Sequence, residues 1–109
     1  MISNFIKTLE KDADFDGEVL QSTVPVLVYF SASWNGPCQA LRPIVDGIDQ
    51  DLPRKVKVVE INIDECIETT RKYGIKSVPT ILAFHRGEKV GSTVGLATRD
   101  SILKLVGLA

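Results

Sequence analysis

Short apolar runs separated by helix-patterned stretches set the predicted order of elements along the chain. Residues 24–30 are rich in β-branched and aromatic side chains, which predicts a central strand covered on both faces. Residues 56–63 and 81–84 predict two further strands. The turn at residues 86–88 leads the second of these into an antiparallel partner at residues 89–94.

The longest segment between the strands has the spacing of an amphipathic helix. An apolar residue recurs at every third or fourth position from Cys38 to Leu52, which indicates a helix over about residues 39–52. Pro43 lies inside this helix and is expected to kink it. Thr98 is suited to cap a final helix near the C-terminus.

Two shorter helices and an edge strand complete the predicted order. Residues 2–9 mix apolar and polar positions and suit a short edge strand. Asp12 or Asp14 can cap a helix that precedes the central strand. Asp64 can cap a second short helix, which Gly74 is placed to end.

The resulting order, β-α-β-α-β-α-β-β-α, defines an α/β fold class. Helix crossovers in the first half give parallel strands, and the final hairpin adds an antiparallel pair. We therefore expect one domain over residues 1–109, with a central mixed five-stranded sheet and helices on both faces.

Composition argues against several classes of protein. A formal net charge of -1 and the lack of a Lys/Arg cluster argue against binding of nucleic acid. No apolar stretch is long enough to span a membrane, and the N-terminus has no signal-peptide pattern. The two cysteines, Cys38 and Cys66, are too few for a zinc site or a disulfide scaffold, so no metal or other cofactor is expected. We expect a monomer in the cytoplasm, or in an organelle stroma or matrix after removal of a transit segment.

Residues 34–38, which read Trp-Asn-Gly-Pro-Cys, lie in the turn between the central strand and the longest helix. This placement brings the turn to the carboxyl edge of the sheet, where a helix N-terminus favours a thiolate over a thiol. Burial of Cys38 would act in the opposite direction and raise its pKa. Asn35 stands where an exposed thiol is expected. Because Asn is a good N-cap residue, its side-chain oxygen is predicted to accept a hydrogen bond from the Cys38 N–H.

The order of elements, residues 34–38 and the sequence Val78-Pro79-Thr80 together resemble thioredoxin over essentially the whole chain. Further landmarks in register are Pro43, residues 62–64, residues 72–75 and Gly95. The resemblance implies the thioredoxin fold, protein or peptide partners, and thioredoxin reductase as a candidate partner. It also implies that Pro79 is a cis-proline beside a shallow groove that takes an extended peptide. The substrate-binding residues implied in this way are Trp34, Gly36, Pro37, Val78, Pro79, Thr80 and Gly95.

In thioredoxins the turn reads Trp-Cys-Gly-Pro-Cys, and its first cysteine attacks the target disulfide before the second resolves the mixed disulfide. In this chain Asn35 occupies the attacking position and Cys38 the resolving position. Since an amide cannot replace a thiolate, the resemblance implies that dithiol reduction is blocked or strongly impaired. The chain is then a peptide- or protein-binding module, or a weak single-thiol protein acting through Cys38.

Two alternatives stay open at this stage. The chain is an active-site variant, Cys to Asn, of a working thioredoxin that reduces protein disulfides in the cell, or Cys38 and Cys66 form a redox pair. By the same resemblance, Tyr29 matches a buried Asp thought to accept a proton from the resolving cysteine, and Glu60 matches the Lys that accompanies it. We expect Tyr29 to be a core aromatic residue, and Glu60 to face solvent or to bond the Tyr29 hydroxyl. His85 is expected at the surface.

Overall fold

The computed structural model of the chain describes residues 6–108. Its strands are β1 (Lys7–Leu9), β2 (Val26–Ser31), β3 (Lys57–Asn62), β4 (Thr80–His85) and β5 (Glu88–Val94). Its α-helices are α1 (Gly36–Asp51), α2 (Ile67–Lys72) and α3 (Arg99–Lys104). A 3-10 turn (Asp12–Asp14) and a π-helical turn (Asp16–Leu20) connect β1 to β2. Within the described residues, no helix is both long and apolar enough to cross a membrane.

The strands form one five-stranded sheet in the order β1-β3-β2-β4-β5. β3 runs parallel to both β1 and β2. β4 runs antiparallel to β2 and to β5. The predicted mixed α/β sheet is therefore confirmed. Of the predicted edge strand, residues 7–9 form β1, whereas residues 2–5 lie outside the part that the structure describes.

The sheet separates two hydrophobic clusters, because successive side chains of β2 point to opposite faces. The first face carries Val26, Val28 and Phe30 from β2. The 12–20 segment contributes to the same cluster, and so do Cys66 and Tyr73, which flank α2. The second face carries Leu27 and Tyr29, and α1 and α3 pack there. Every residue of β2 is buried, as expected for a strand at the centre of the sheet.

The helix predicted before β2 is wrong in form, and so is its capping. Residues 12–20 form a tight 3-10 turn followed by a wider π-helical turn in place of one α-helix. The Asp12 carboxylate does not cap its own segment. Its two oxygens accept hydrogen bonds from the backbone N–H groups of Thr69 (2.7 Å) and Glu68 (3.2 Å) at the start of α2. Asp12 therefore caps a helix that is distant in the sequence.

Asp64 does not cap α2, which corrects the second capping prediction. Its side chain lies too far upstream, because α2 begins only at Ile67 with Cys66 as the N-cap residue. The Asp64 N–H instead donates to the Asn62 side-chain oxygen at 2.8 Å within the turn after β3. Two other local predictions, for Gly74 and Thr98, are confirmed. Gly74 follows the end of α2 with φ of 65°, and Thr98 caps α3 by accepting from the Ser101 N–H at 3.1 Å.

Candidate functional site

The turn between β2 and α1 is fixed by a side-chain cap on the helix. Asn35 is the N-cap residue, with extended backbone angles (φ -99°, ψ 122°). Its Oδ1 accepts a hydrogen bond from the Cys38 N–H at 2.9 Å, so the predicted cap is confirmed. Because Pro37 has no N–H, Cys38 supplies one of the first free donors of this helix. An Asn cap of this kind stabilises a helix by about 1 kcal/mol relative to Ala.

Cys38 is buried at the start of α1, where only 3% of its surface is exposed. Burial raises the pKa of its thiol, and the negative charge of Glu60 acts in the same direction. A backbone hydrogen bond from Ala32 opposes this rise in the pKa but does not cancel it. The thiol of Cys38 therefore has a raised pKa, with burial as the largest cause.

Tyr29 projects from β2 beneath the turn and holds the backbone of Cys38. Its buried hydroxyl donates a hydrogen bond to the Cys38 carbonyl oxygen. Burial raises the pKa of Tyr29 well above its usual value, so the hydroxyl keeps its proton and remains a donor. Tyr29 is a core aromatic residue as expected, and its polar end anchors the first turn of α1.

Glu60 neither faces solvent nor bonds Tyr29, which corrects both expectations for this residue. Its side chain is only 14% exposed, and its Oε1 accepts from the Arg42 guanidinium at 2.8 Å. The Ser31 hydroxyl donates to Oε2 at 2.7 Å, and the Thr8 hydroxyl lies 3.3 Å from Oε1. Tyr29 is not a partner because its hydroxyl is already committed to the Cys38 carbonyl. The carboxylate therefore joins α1, β1 and β2 to β3.

A cavity of about 340 Å³, with several polar side chains in its lining, lies beneath the turn, between α1 and β3. The side chains of Ser31, Arg42 and Glu60 line it together with Cys38. Sequence reasoning did not identify Arg42. The available signal was its position one helical turn after Cys38, which places both side chains on the same side of α1.

A shallow groove of about 300 Å³ lies on the other side of the turn. Trp34 forms one wall, with 67% of its surface exposed, and its Nε1 donates to an Asp64 oxygen at 3.3 Å. The residues that line the groove are Trp34, Asn35, Ile63, Ile75, Lys76, Ser77 and Val78. The structure therefore brings Trp34 and Val78 together with Asn35 along this groove.

None of the remaining expected site residues is among those that line this groove, although Pro79 directly follows Val78 in the chain. The peptide bond between Val78 and Pro79 is cis. The Gly95 N–H donates to the Pro79 carbonyl oxygen at 2.8 Å, which joins these two residues. Thr80 is buried and donates from its hydroxyl to the Ser77 carbonyl oxygen at 2.8 Å. Gly36 and Pro37 are exposed at the start of α1 and do not line the groove itself.

Sequence reasoning missed four of the groove-lining residues. Ile63 follows β3, and its position at the same sheet edge as the turn was the available signal. Ile75, Lys76 and Ser77 lie immediately before Val78, and no local pattern marked their side chains as groove walls.

Cys66 and His85 lie away from the turn. Cys66 is a buried free thiol in the cluster on the first face of the sheet, and its Sγ lies 3.4 Å from the Leu9 carbonyl oxygen. Cys38 lies on α1, which packs against the opposite face. His85 is exposed at the end of β4, whereas Thr80 at the beginning of that strand is beside the groove.

The order β1-β3-β2-β4-β5 and the capped turn between β2 and α1 define a class of protein, the thioredoxin-like α/β domains. Residues 6–107 match the family model for thioredoxin. A thioredoxin of Rickettsia conorii is 49% identical over 92 residues, which are 84% of this chain and 88% of that protein. Thioredoxin 1 of a Nostoc species is 45% identical over 91 residues, covering 84% of this chain and 85% of that protein. The chloroplastic thioredoxin M4 of Arabidopsis thaliana is 44% identical over 95 residues, covering 87% of this chain and 49% of that protein. The chain belongs to the thioredoxin family and has the thioredoxin fold.

Proposed function

We propose that this thioredoxin-family protein binds extended segments of partner proteins in the groove beside Pro79 and does not reduce their disulfides by a dithiol mechanism. The observation that carries the proposal is the Asn35 cap. The amide occupies the helix N-terminus with a 2.9 Å bond to the Cys38 N–H, at the position where the family resemblance implies an attacking thiol. The turn therefore has a helix cap where a nucleophile would be needed.

Thiol–disulfide exchange requires a thiolate in line with the sulfur–sulfur bond of the substrate. The Asn35 amide has no sulfur to offer, and Cys38 has no partner in the turn with which to form a disulfide. Cys38 itself is buried, and its raised pKa lowers the fraction of thiolate at neutral pH. Its single-thiol reactivity toward proteins is therefore weak.

The groove supplies the binding function in this proposal. Trp34 presents a large exposed aromatic surface beside Val78 and the segment before Pro79. An extended peptide gains affinity at such a place from backbone pairing and from apolar contact with the indole ring. Proposed partners are proteins with exposed extended segments, among them thioredoxin reductase. We propose that residues 1–109 act as one monomeric domain in the cytoplasm, or in an organelle stroma or matrix.

The catalytic part of the proposal is tested by reduction of insulin disulfides with dithiothreitol or thioredoxin reductase as the electron donor. The chain as it stands is expected to show no turnover above the reductant alone, because it lacks the attacking thiol. Asn35→Cys is expected to turn over insulin, and Asn35→Ser is the matched control because it keeps a capping side chain without a thiol. Clear turnover by the unmodified chain would contradict the proposal. If Asn35→Cys is inactive, Tyr29 and Glu60 also contribute to the loss.

The binding part is tested with reduced and carbamidomethylated insulin B chain, an extended peptide without a disulfide. We expect it to shift the Trp34 indole N–H and the Gly95 amide in a two-dimensional ¹H–¹⁵N spectrum. Trp34→Ala is expected to weaken binding about tenfold, because the largest exposed apolar contact of the groove is lost. Leu108→Ala removes an exposed apolar side chain after α3, away from the groove, and should leave the affinity unchanged. Shifts spread evenly over the surface would contradict the proposal.

A further inference from the structure

A strip of the sheet beside the Pro79 groove is left uncovered on the face that carries α2. Cross-strand pairing places Thr80 opposite Val94 and Leu82 opposite Ser92 on this face. The strip forms a groove of about 290 Å³ along β4 and β5, and Tyr73 and the residues after it form its wall. The Val94 side chain is 63% exposed, so no helix of residues 6–108 covers this end of β5.

The strip is positively charged although the protein as a whole has a net charge of -1. Lys76 lines the wall and Lys89 lines the end toward the β4–β5 hairpin. None of the described residues that line the strip is acidic. Neither ammonium group forms an ion pair with another residue between 6 and 108. Both positive charges therefore remain available to a ligand.

The strip is continuous with the groove beside Pro79. Ile75, Lys76 and Ser77 line both grooves, so this short segment is the wall that they share. The opposite side of the Pro79 groove is formed by Trp34, and Asp64 is bonded to its indole without lining the groove. A peptide lying in the Pro79 groove therefore meets an aromatic surface toward Trp34 and positive charge toward β5.

We infer that partner segments carry an acidic stretch next to the apolar residues that dock beside Pro79, and that this stretch lies along β5 between Lys76 and Lys89. The inference rests on the proposed binding function and adds the chemical class of the partner. Residues from Lys89 to Val94 extend about 17 Å at the rise of a strand, which accommodates about five residues of an extended peptide. The charges of Lys76 and Lys89 then determine which partner segments bind more tightly. They also determine the direction in which a bound segment runs along β5.

The test uses two short fluorescein-labelled peptides, Val-Thr-Val-Ser-Glu-Asp-Glu-Asp and its amide counterpart Val-Thr-Val-Ser-Gln-Asn-Gln-Asn. Each is also made in reverse order so that both docking directions are sampled. Fluorescence anisotropy at low salt is expected to show about tenfold tighter binding of the acidic peptide in one order. The double variant K76Q/K89Q should bind the acidic peptide no more tightly than the amide peptide. Lys55→Gln, which removes an exposed lysine beyond the far end of α1, is the matched control and should change neither affinity.

The outcomes separate this inference from the proposed function. Equal affinity for the two peptides, with spectral shifts at Trp34, would overturn the acidic-partner inference and leave the docking groove in place. Binding of neither peptide would overturn both. Tighter binding of oligothymidine than of the acidic peptide, abolished by K76Q/K89Q, would also overturn the inference, because the strip would then select nucleic acid. Loss of the tenfold preference at high salt is expected, since exposed charge pairs are screened.

Discussion

Cys38 is held through its backbone and shielded at its side chain. Its N–H donates to the Asn35 side chain, and its carbonyl oxygen accepts from the Tyr29 hydroxyl. Burial and the charge of Glu60 both raise the pKa of its thiol. At neutral pH the side chain is therefore protonated, and a protonated thiol is a poor nucleophile.

Alkylation with iodoacetamide tests this description of Cys38. In a Cys66→Ala variant, where Cys38 is the only thiol, we expect native-state labelling at neutral pH to be at least about tenfold slower than labelling in urea. The rate should rise with pH, because the thiolate is the reacting form. Its midpoint should lie above about 8.5, the pKa of a free thiol, since burial raises the folded-state value. Mass spectrometry follows the label, and equal native and unfolded rates at neutral pH would contradict the burial argument.

At the scale of elements, α2 depends on a carboxylate from another part of the chain. Asp12 and the N–H groups it caps are 56 and 57 positions apart in the sequence. The hydrogen bonds from Thr69 and Glu68 lower the pKa of Asp12. Because the folded-state pKa lies below the unfolded one, the stabilising effect is present above the unfolded value and is lost as the pH falls through the folded value.

Replacing this carboxylate should weaken α2 in a pH-dependent way. Asp12→Asn is expected to lower the urea midpoint at pH 7. The difference from the original chain should shrink as the pH falls below about 3.9, the unfolded-state pKa, and disappear once the folded-state carboxyl is also protonated. Asp14→Asn is the matched control, because Asp14 is exposed in the same turn and makes no side-chain hydrogen bond to a described residue. Hydrogen exchange at the Thr69 amide should accelerate only in Asp12→Asn. An unchanged Thr69 exchange rate would contradict the capping role.

Local sequence pattern is sufficient to predict an element that is stabilised by its own residues. The strands follow from their apolar runs, and the cap of α1 follows from Asn35 because its partner is only three positions away. The cap of α2 does not follow, since Asp12 and Asp64 are equally good capping residues in isolation and only the tertiary fold selects between them. The form of the 12–20 segment is likewise decided by packing. Phe15 contacts Phe84 and Tyr73, with ring centroids 5.7 and 5.3 Å apart, and fixes the segment on the sheet.

At the scale of the whole molecule, the sheet divides the chemistry of the chain between its two faces. Cys38 belongs to the face of α1, and Cys66 is buried in the cluster on the other face. A disulfide between them would require one thiol to cross the sheet, which close packing of β2 opposes. The sequence left open a redox pair between the two cysteines. It did not indicate on which face of the sheet each cysteine lies, because the face that a residue occupies depends on the register in which the strands pair.

The partners of Glu60 in the polar network beneath the turn could likewise not be predicted from the sequence. Glu60 contacts Arg42, Ser31 and Thr8, which are 18, 29 and 52 positions away in the sequence. Family resemblance directs attention to Glu60, but its partners come from three other elements. Only the assembled sheet brings them together.

The carboxylate of Asp12 also stabilises the docking surface indirectly, through α2. It fixes the first turn of α2, and the chain leaves this helix through Gly74 directly into Ile75, Lys76 and Ser77, the shared wall of both grooves. A change in the segment around Asp12 would therefore loosen this wall, in part through Phe15, whose ring packs against Tyr73 at the start of the wall. Selection for partner binding would then act on the 12–20 segment, although none of its residues meets the partner.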